Sequence, residues 1–212
     1  MERGTLMKTK DSHKQLFLRI FRVTGLIAVI LGSSIFLQAI PQDKPRLDVQ
    51  NLFYPTGWMG DGEYGRKYID FEGAYKTDSP SLPSCIRIKY TFGPKRWAGI
   101  YWQNKPDNWG DKQGNDYSKN GYNRITFWAK GETGMEVVEF KAGDINNPAK
   151  KYRDTFAETL GRISLSKDWR QYTIDLGQAD LSSVIGGFCW VASADYNDQS
   201  IIAFYLGGIY FE

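Results

Sequence analysis

From residue 52 onward, apolar and polar positions alternate in short runs separated by Gly, Pro, Asn and Asp. A period of two is the mark of a strand that buries one face. It predicts strands at 68–75, 85–92, 97–103, 123–130, 136–142, 161–165, 170–176, 187–192 and 201–211. In CIRIKY, Ile86, Ile88 and Tyr90 share a face opposite Arg87 and Lys89. The same rule groups Ala98, Ile100 and Trp102; Ile125, Phe127 and Ala129; Val138, Phe140 and Ala142; Tyr172, Ile174 and Leu176; and Ile202, Phe204 and Leu206. One apolar face per strand, with turn signals between strands, predicts an all-β fold of two packed antiparallel sheets. The stretch 150–159 fits either a helical turn or a loop, and 180–184 reads as a short turn.

The first forty residues have another texture. Lys8, Lys10, Lys14, Arg19 and Arg22 precede the apolar run VTGLIAVILGSSIFLQAI at 23–40. A basic start, an apolar middle and Ala39 near its end describe a secretory signal segment, although Leu37 is bulky for the position three before the cut. The run also reaches the length of a membrane span, about 18–20 residues. It therefore divides the chain into a leader or N-terminal anchor with its linker (1–42) and a domain (43–212). Either way the basic flank stays inside, and 43–212 is exported to the periplasm, the cell surface or beyond. Membrane contact is expected only through the N-terminal segment.

Charge changes the picture of partners. Residues 1–42 hold six Lys/Arg and two Asp/Glu; against totals of 27 and 24, that leaves 21 basic and 22 acidic residues for 43–212. A near-neutral domain argues against nucleic acid. Cys85 and Cys189, the two cysteines, either form one bridge in an exported domain or serve as small buried hydrophobes.

The chain's one histidine, His13, lies in the leader. The domain thus lacks the means for a Ser-His-Asp or Cys-His arrangement, or for a His-containing zinc site. GDGEYG at 60–65 has glycines without the strand–loop–helix context of a phosphate loop. What remains is carboxylate chemistry: a glycan-cleaving pair would join Glu139 to Asp154, Glu72 or Glu136, but no spacing singles one out.

Binding chemistry is better represented. In RWAGIYWQNKPDNWG (96–110), alternation places Trp102 inward and Trp97, Tyr101 and Gln103 outward, while Trp109 falls in a polar loop. Trp128 lies on the non-core face of its own strand, and so do Arg124, Glu139 and Lys141. A wet face of Tyr101, Gln103, Trp128, Glu139 and Lys141 mixes flat rings with directed hydrogen-bonding groups, as a shallow ligand site does. A pyranose offers an apolar C–H face for rings and a fringe of hydroxyls for amides and charges. Tyr101, Trp109 and Trp128 are the expected stacking rings. Gln103, Arg124, Glu139 and Lys141 are the expected hydroxyl partners, and Trp58 is a peripheral candidate.

The segments YPTGWMGDG (54–62), RITFWAKGE (124–132), VVEFKAGD (137–144), DWRQYTIDL (168–176), IGGFCWVAS (185–193) and AFYLGGIYFE (203–212), together with 96–110, resemble a bacterial secreted domain of the galactose-binding-like jelly-roll superfamily. That superfamily includes carbohydrate-binding modules. The resemblance spans 52–212 and implies a jelly roll that binds an oligo- or polysaccharide on its concave face or loop end. Many relatives hold a structural calcium through an acidic pair in the last strand, in a pattern like YLDDIYxE. Gly207 and Gly208 stand there in this chain, so no cofactor or metal is assigned. The expectation is an exported, non-catalytic glycan-binding domain. The alternatives are a protein-interaction module on the same fold and, third, a glycan-cleaving enzyme.

Overall fold

Eleven strands in two antiparallel sheets make up the computed structural model, which describes residues 46–76, 78, 79 and 82–212. The apolar run 23–40, and with it the choice between leader and anchor, lies outside these residues. Among the described residues no helix is long and apolar enough to cross a membrane.

The elements are β1 (Leu47–Asp48), a four-residue helix α1 (Val49–Leu52), β2 (Tyr54–Gly60), a 3-10 segment (Asp61–Lys67), β3 (Ile69–Tyr75), β4 (Cys85–Thr91), β5 (Trp97–Gln103), β6 (Arg124–Gly131), β7 (Val137–Gly143), β8 (Ala157–Ser164), β9 (Arg170–Asp175), β10 (Gly186–Ser193), a second 3-10 segment (Ala194–Tyr196) and β11 (Ile201–Phe211). One sheet runs β3-β4-β11-β6-β9, with β1 also paired to β11; the other runs β2-β5-β10-β7-β8.

The alternating positions meet between the sheets as expected. Ile88, Tyr90, Ile100, Ile125, Phe127, Val138, Phe140, Ile174, Phe204 and Leu206 are all fully buried. Phe127 of one sheet lies 4.7 Å from Phe140 and 5.0 Å from Phe188 of the other, ring centre to ring centre. Each such ring contributes about 2–3 kcal/mol through burial.

Two strands depart from the sequence reading for physical reasons. β2 contains a proline and two glycines, yet it is a strand because it lies at a sheet edge, where proline's missing N–H leaves no ladder position empty. β8 starts at Ala157, inside the stretch 150–159. A bulge at Leu160–Gly161, with Gly161 at φ +75°, makes Leu160 and Ile163 both pack inward. Three-residue spacing masks the period of two.

The cysteines sit in different sheets, Cys85 in β4 and Cys189 in β10. Cys189 carries a free, fully buried thiol, so of the two readings the bridge is the one that fails.

Candidate functional site

Alternation says which side of a strand a residue takes but not which sheet the strand joins. That distinction divides the expected site. Tyr101 and Gln103 on β5, and Glu139 and Lys141 on β7, belong to one sheet; Arg124 and Trp128 on β6 belong to the other. Both sets point away from the core, so they lie on opposite outer faces of the sandwich. The single wet face joining Trp128 to Tyr101 and Glu139 does not form. Arg124 pairs instead with Glu212 at 3.1 Å.

Tyr101 needs a second correction. It lies on the outer face as read, but only 3% of it is exposed. Ile145, Ile185 and Cys189 pack round it in a small second cluster, with Met59, Trp109 and Tyr152 against them. Trp109 meets the Tyr101 ring edge to face at 5.9 Å, and Lys141 Nζ sits 5.7 Å from its centre. Burial drives the Tyr101 hydroxyl far above its ordinary pKa. Tyr101 therefore backs Trp109 and has no face for a ligand.

Gln103 is likewise supporting structure. It is fully buried, donates from Nε2 to the Asn108 carbonyl at 2.9 Å, and accepts the Thr56 hydroxyl at 3.0 Å. Thr56 Oγ1 in turn accepts the Asp107 N–H at 3.0 Å. Asn108 is the hub of this loop and is fully buried. Its Nδ2 donates to Asn104 Oδ1 (2.8 Å) and to the Lys112 carbonyl (2.9 Å). Its Oδ1 accepts the N–H groups of Gly110 (3.2 Å) and Lys112 (2.9 Å). A polar loop thus gains a packed interior made of amides and holds Trp109 in one place.

Trp109, from the outer face, and Trp58, from the core side, both line an open groove of about 480 Å³ at the β2 edge. Trp58 packs its inner side against Phe71, ring centres 6.2 Å apart, and presents the remainder to the groove. Thr56, Asp107, Glu63 and Arg66 supply the polar lining. The wall carrying Glu63 and Arg66 is the 3-10 segment, which begins at the fully buried Asp61. The Asp61 carboxylate accepts the Tyr90 hydroxyl at 2.6 Å and the N–H groups of Gly93 (2.9 Å) and Lys95 (2.8 Å). Each wall of the groove therefore depends on one buried polar side chain, Asn108 or Asp61.

Replacing Asn108 by alanine removes four hydrogen bonds and leaves buried partners unsatisfied. The expected loss is about 2–3 kcal/mol of unfolding free energy, with a red-shifted, more mobile Trp109 emission. Denaturant melts and tryptophan fluorescence check both; an unchanged midpoint would mean that the loop is held by other contacts.

Beyond Trp109 the outer face continues as a shallow floor. Gly99, Val191, Glu139 and Arg162 share one cross-strand row. Lys141 pairs with Asp144 at 3.5 Å. Trp97 rises from the same face, 38% exposed, and the Arg162 guanidinium lies 3.8 Å from the centre of the exposed Tyr196 ring. Trp97 was marked by alternation alone. Arg162 and Tyr196 gave no signal, because the β8 bulge hides one and the other follows a strand end.

Asp154 closes one end of this floor. It accepts the backbone N–H groups of Ile145 (2.9 Å), Ile185 and Gly186 (3.2 Å), tying two loops together. Those donors favour its charge, but burial outweighs them and pushes its pKa from 3.8 up to about 6. Between these values the unfolded chain has released a proton that the folded chain keeps. Stability contributed by this group is therefore complete below about pH 4 and falls by up to about 3 kcal/mol as pH rises through 6. Thermal melts of the wild type and of D154N should show the wild type losing ground to the variant between pH 4 and pH 7. A constant gap would place the carboxyl at its ordinary value.

The carboxylates considered as partners for Glu139 are otherwise engaged. Glu136 is buried and accepts from Thr133, Gly134 and Met135; Glu72 pairs with Arg87 in the other sheet; Asp154 is held as described. Among the described residues no three His, Cys, Asp or Glu side chains gather to hold a metal ion. Gly208 sits at a β11 bulge with φ +58°.

No protein-family model and no curated protein matches this chain. Solved structures do. Two structures of a family 30 carbohydrate-binding module match with TM-scores of 0.51 and 0.50, each at 14% identity over 79% of this chain and over 98% and 87% of their own. A family 30 module of a cellulosomal cellulase of Clostridium thermocellum matches with a TM-score of 0.48, at 13% identity over 79% of this chain and 97% of its own. At such identity the likeness is one of fold. The two antiparallel sheets and the matches at 0.51 and 0.50 show the fold: a two-sheet jelly-roll β-sandwich like that of those modules.

Proposed function

We propose that this domain is a non-catalytic carbohydrate-binding module, exported by residues 1–42, that holds a glycan chain in the groove between Trp58 and Trp109. The observation that carries the reading is that these two indoles line one groove together with two carboxylates, a hydroxyl and a guanidinium. Indole faces suit the C–H faces of pyranose rings, and the polar lining suits their hydroxyls. The groove is open along the sheet edge, which suits the side of a chain. Glu139, Lys141 and Arg162 on the adjoining floor would meet the chain where it continues past Trp109. The jelly-roll likeness to carbohydrate-binding modules supports the same reading at the level of fold.

The test is electrophoresis of the full chain through gels cast with different soluble polysaccharides, alongside tryptophan fluorescence titrations. Retardation by at least one polysaccharide, with a matching change in emission, is expected. Unretarded migration through all of them, with constant emission, would end the proposal.

A further inference from the structure

The outer face of the β3-β4-β11-β6-β9 sheet contains a second cavity of about 480 Å³, on the far side of the sandwich from Trp109. Gly208 lines it at the β11 bulge, beside Trp128 and Leu82. A Cβ added to Gly207 would stand 2.7 Å from Leu82, and one on Gly208 would come 3.4 Å from the Trp128 ring. Two glycines thus clear the space beside an indole. Trp128 is half-buried, and Gln171 stands next to it in cross-strand register. Among the described residues neither the Trp128 indole N–H nor the Gln171 side-chain amide has a hydrogen-bond partner. From the opposite wall, Gln50 accepts the Gly208 N–H at 2.7 Å, which fixes its amide at the cavity edge. Arg46 lies 5.6 Å from the centre of the Tyr210 ring and bonds Glu212 at 2.8 Å. The charged residues in the lining, Arg46 and Asp48, balance, so nothing here selects a charged ligand.

We infer that this cavity is a second saccharide site, independent of the groove at the β2 edge, that takes a short stretch or an end of a neutral glycan. Trp128 stacks on the ring, and Gln171 and Gln50 bond its hydroxyls. The cavity is less open than the groove across the molecule, and its volume holds about one or two sugar units. Two sites on opposite faces would let one domain join two chains, raising avidity without any new contact. The inference shares with the proposed function the premise that the domain takes saccharide, so its test must read the two sites separately.

The full chain has seven tryptophans. Labelled with 5-fluorotryptophan and assigned by single Trp→Phe variants, it gives one fluorine resonance for each. Titration with short neutral oligosaccharides of glucose, xylose, mannose and galactose should move the Trp128 resonance along an isotherm of its own. In W128A the Trp58 and Trp109 isotherms should stay within about two-fold of wild type. Q171A, an exposed change, should weaken the Trp128 isotherm and leave the fold intact. A Trp128 resonance that stays fixed with every sugar, while Trp58 and Trp109 move, would overturn the second site and leave the first standing. A Trp128 shift that only follows Trp109 and disappears in W109A would also overturn it. Fixed Trp58 and Trp109 resonances would instead remove the groove reading, whatever Trp128 does.

Discussion

Replacing Trp58 and Trp109 together by alanine is expected to abolish retardation by any polysaccharide that retards the wild type. Each stacked indole contributes about 1.4 kcal/mol beyond its buried area, so losing both weakens affinity about 100-fold or more. The two rings differ in what else they do. Trp109 rests on Tyr101 at the surface, whereas Trp58 also packs against Phe71. W109A alone should therefore reduce binding with little change in melting temperature. W58A should lower both, and W58F should restore stability before it restores binding. If the double variant binds like wild type while remaining folded, the ligand lies elsewhere.

Asp61→Ala is expected to have the largest effect on stability, about 3–4 kcal/mol. It leaves the Tyr90 hydroxyl and the Gly93 and Lys95 N–H groups without their buried acceptor. Burial, reinforced by the carboxylate, pushes the Tyr90 hydroxyl well above its ordinary pKa, so it remains a donor at every working pH. The loss should extend to the groove, because the 3-10 segment that Asp61 begins carries Glu63 and Arg66. Denaturant melts measure the stability change. Y90F, which removes only one of the three donors, should cost about 1 kcal/mol and keep glycan binding. An Asp61→Ala protein as stable as wild type would show that water replaces the carboxylate and that this wall does not depend on it.

The sequence by itself determined the layers. Period-two patterning identified nine of the strands, β8 only in its second half, and the inward residues on six of them, because burying one face of a strand is a local demand that each strand states for itself. It also marked Trp109 as lying outside the core, since a loop of Gly, Pro, Asn and Asp has no periodic face. Partnership between strands was decided only by the tertiary structure. Trp128 and Tyr101 obey the same alternation, yet β6 and β5 enter different sheets, and the outer faces of two packed sheets point in opposite directions. Burial of an outward residue was equally beyond reach: Tyr101 and Gln103 are covered by a loop whose course depends on the Asn108 amide finding four partners. The groove itself unites a tryptophan at position 58 with one at position 109 through the edge pairing of β2 with β5, a long-range contact that leaves no trace in either segment alone.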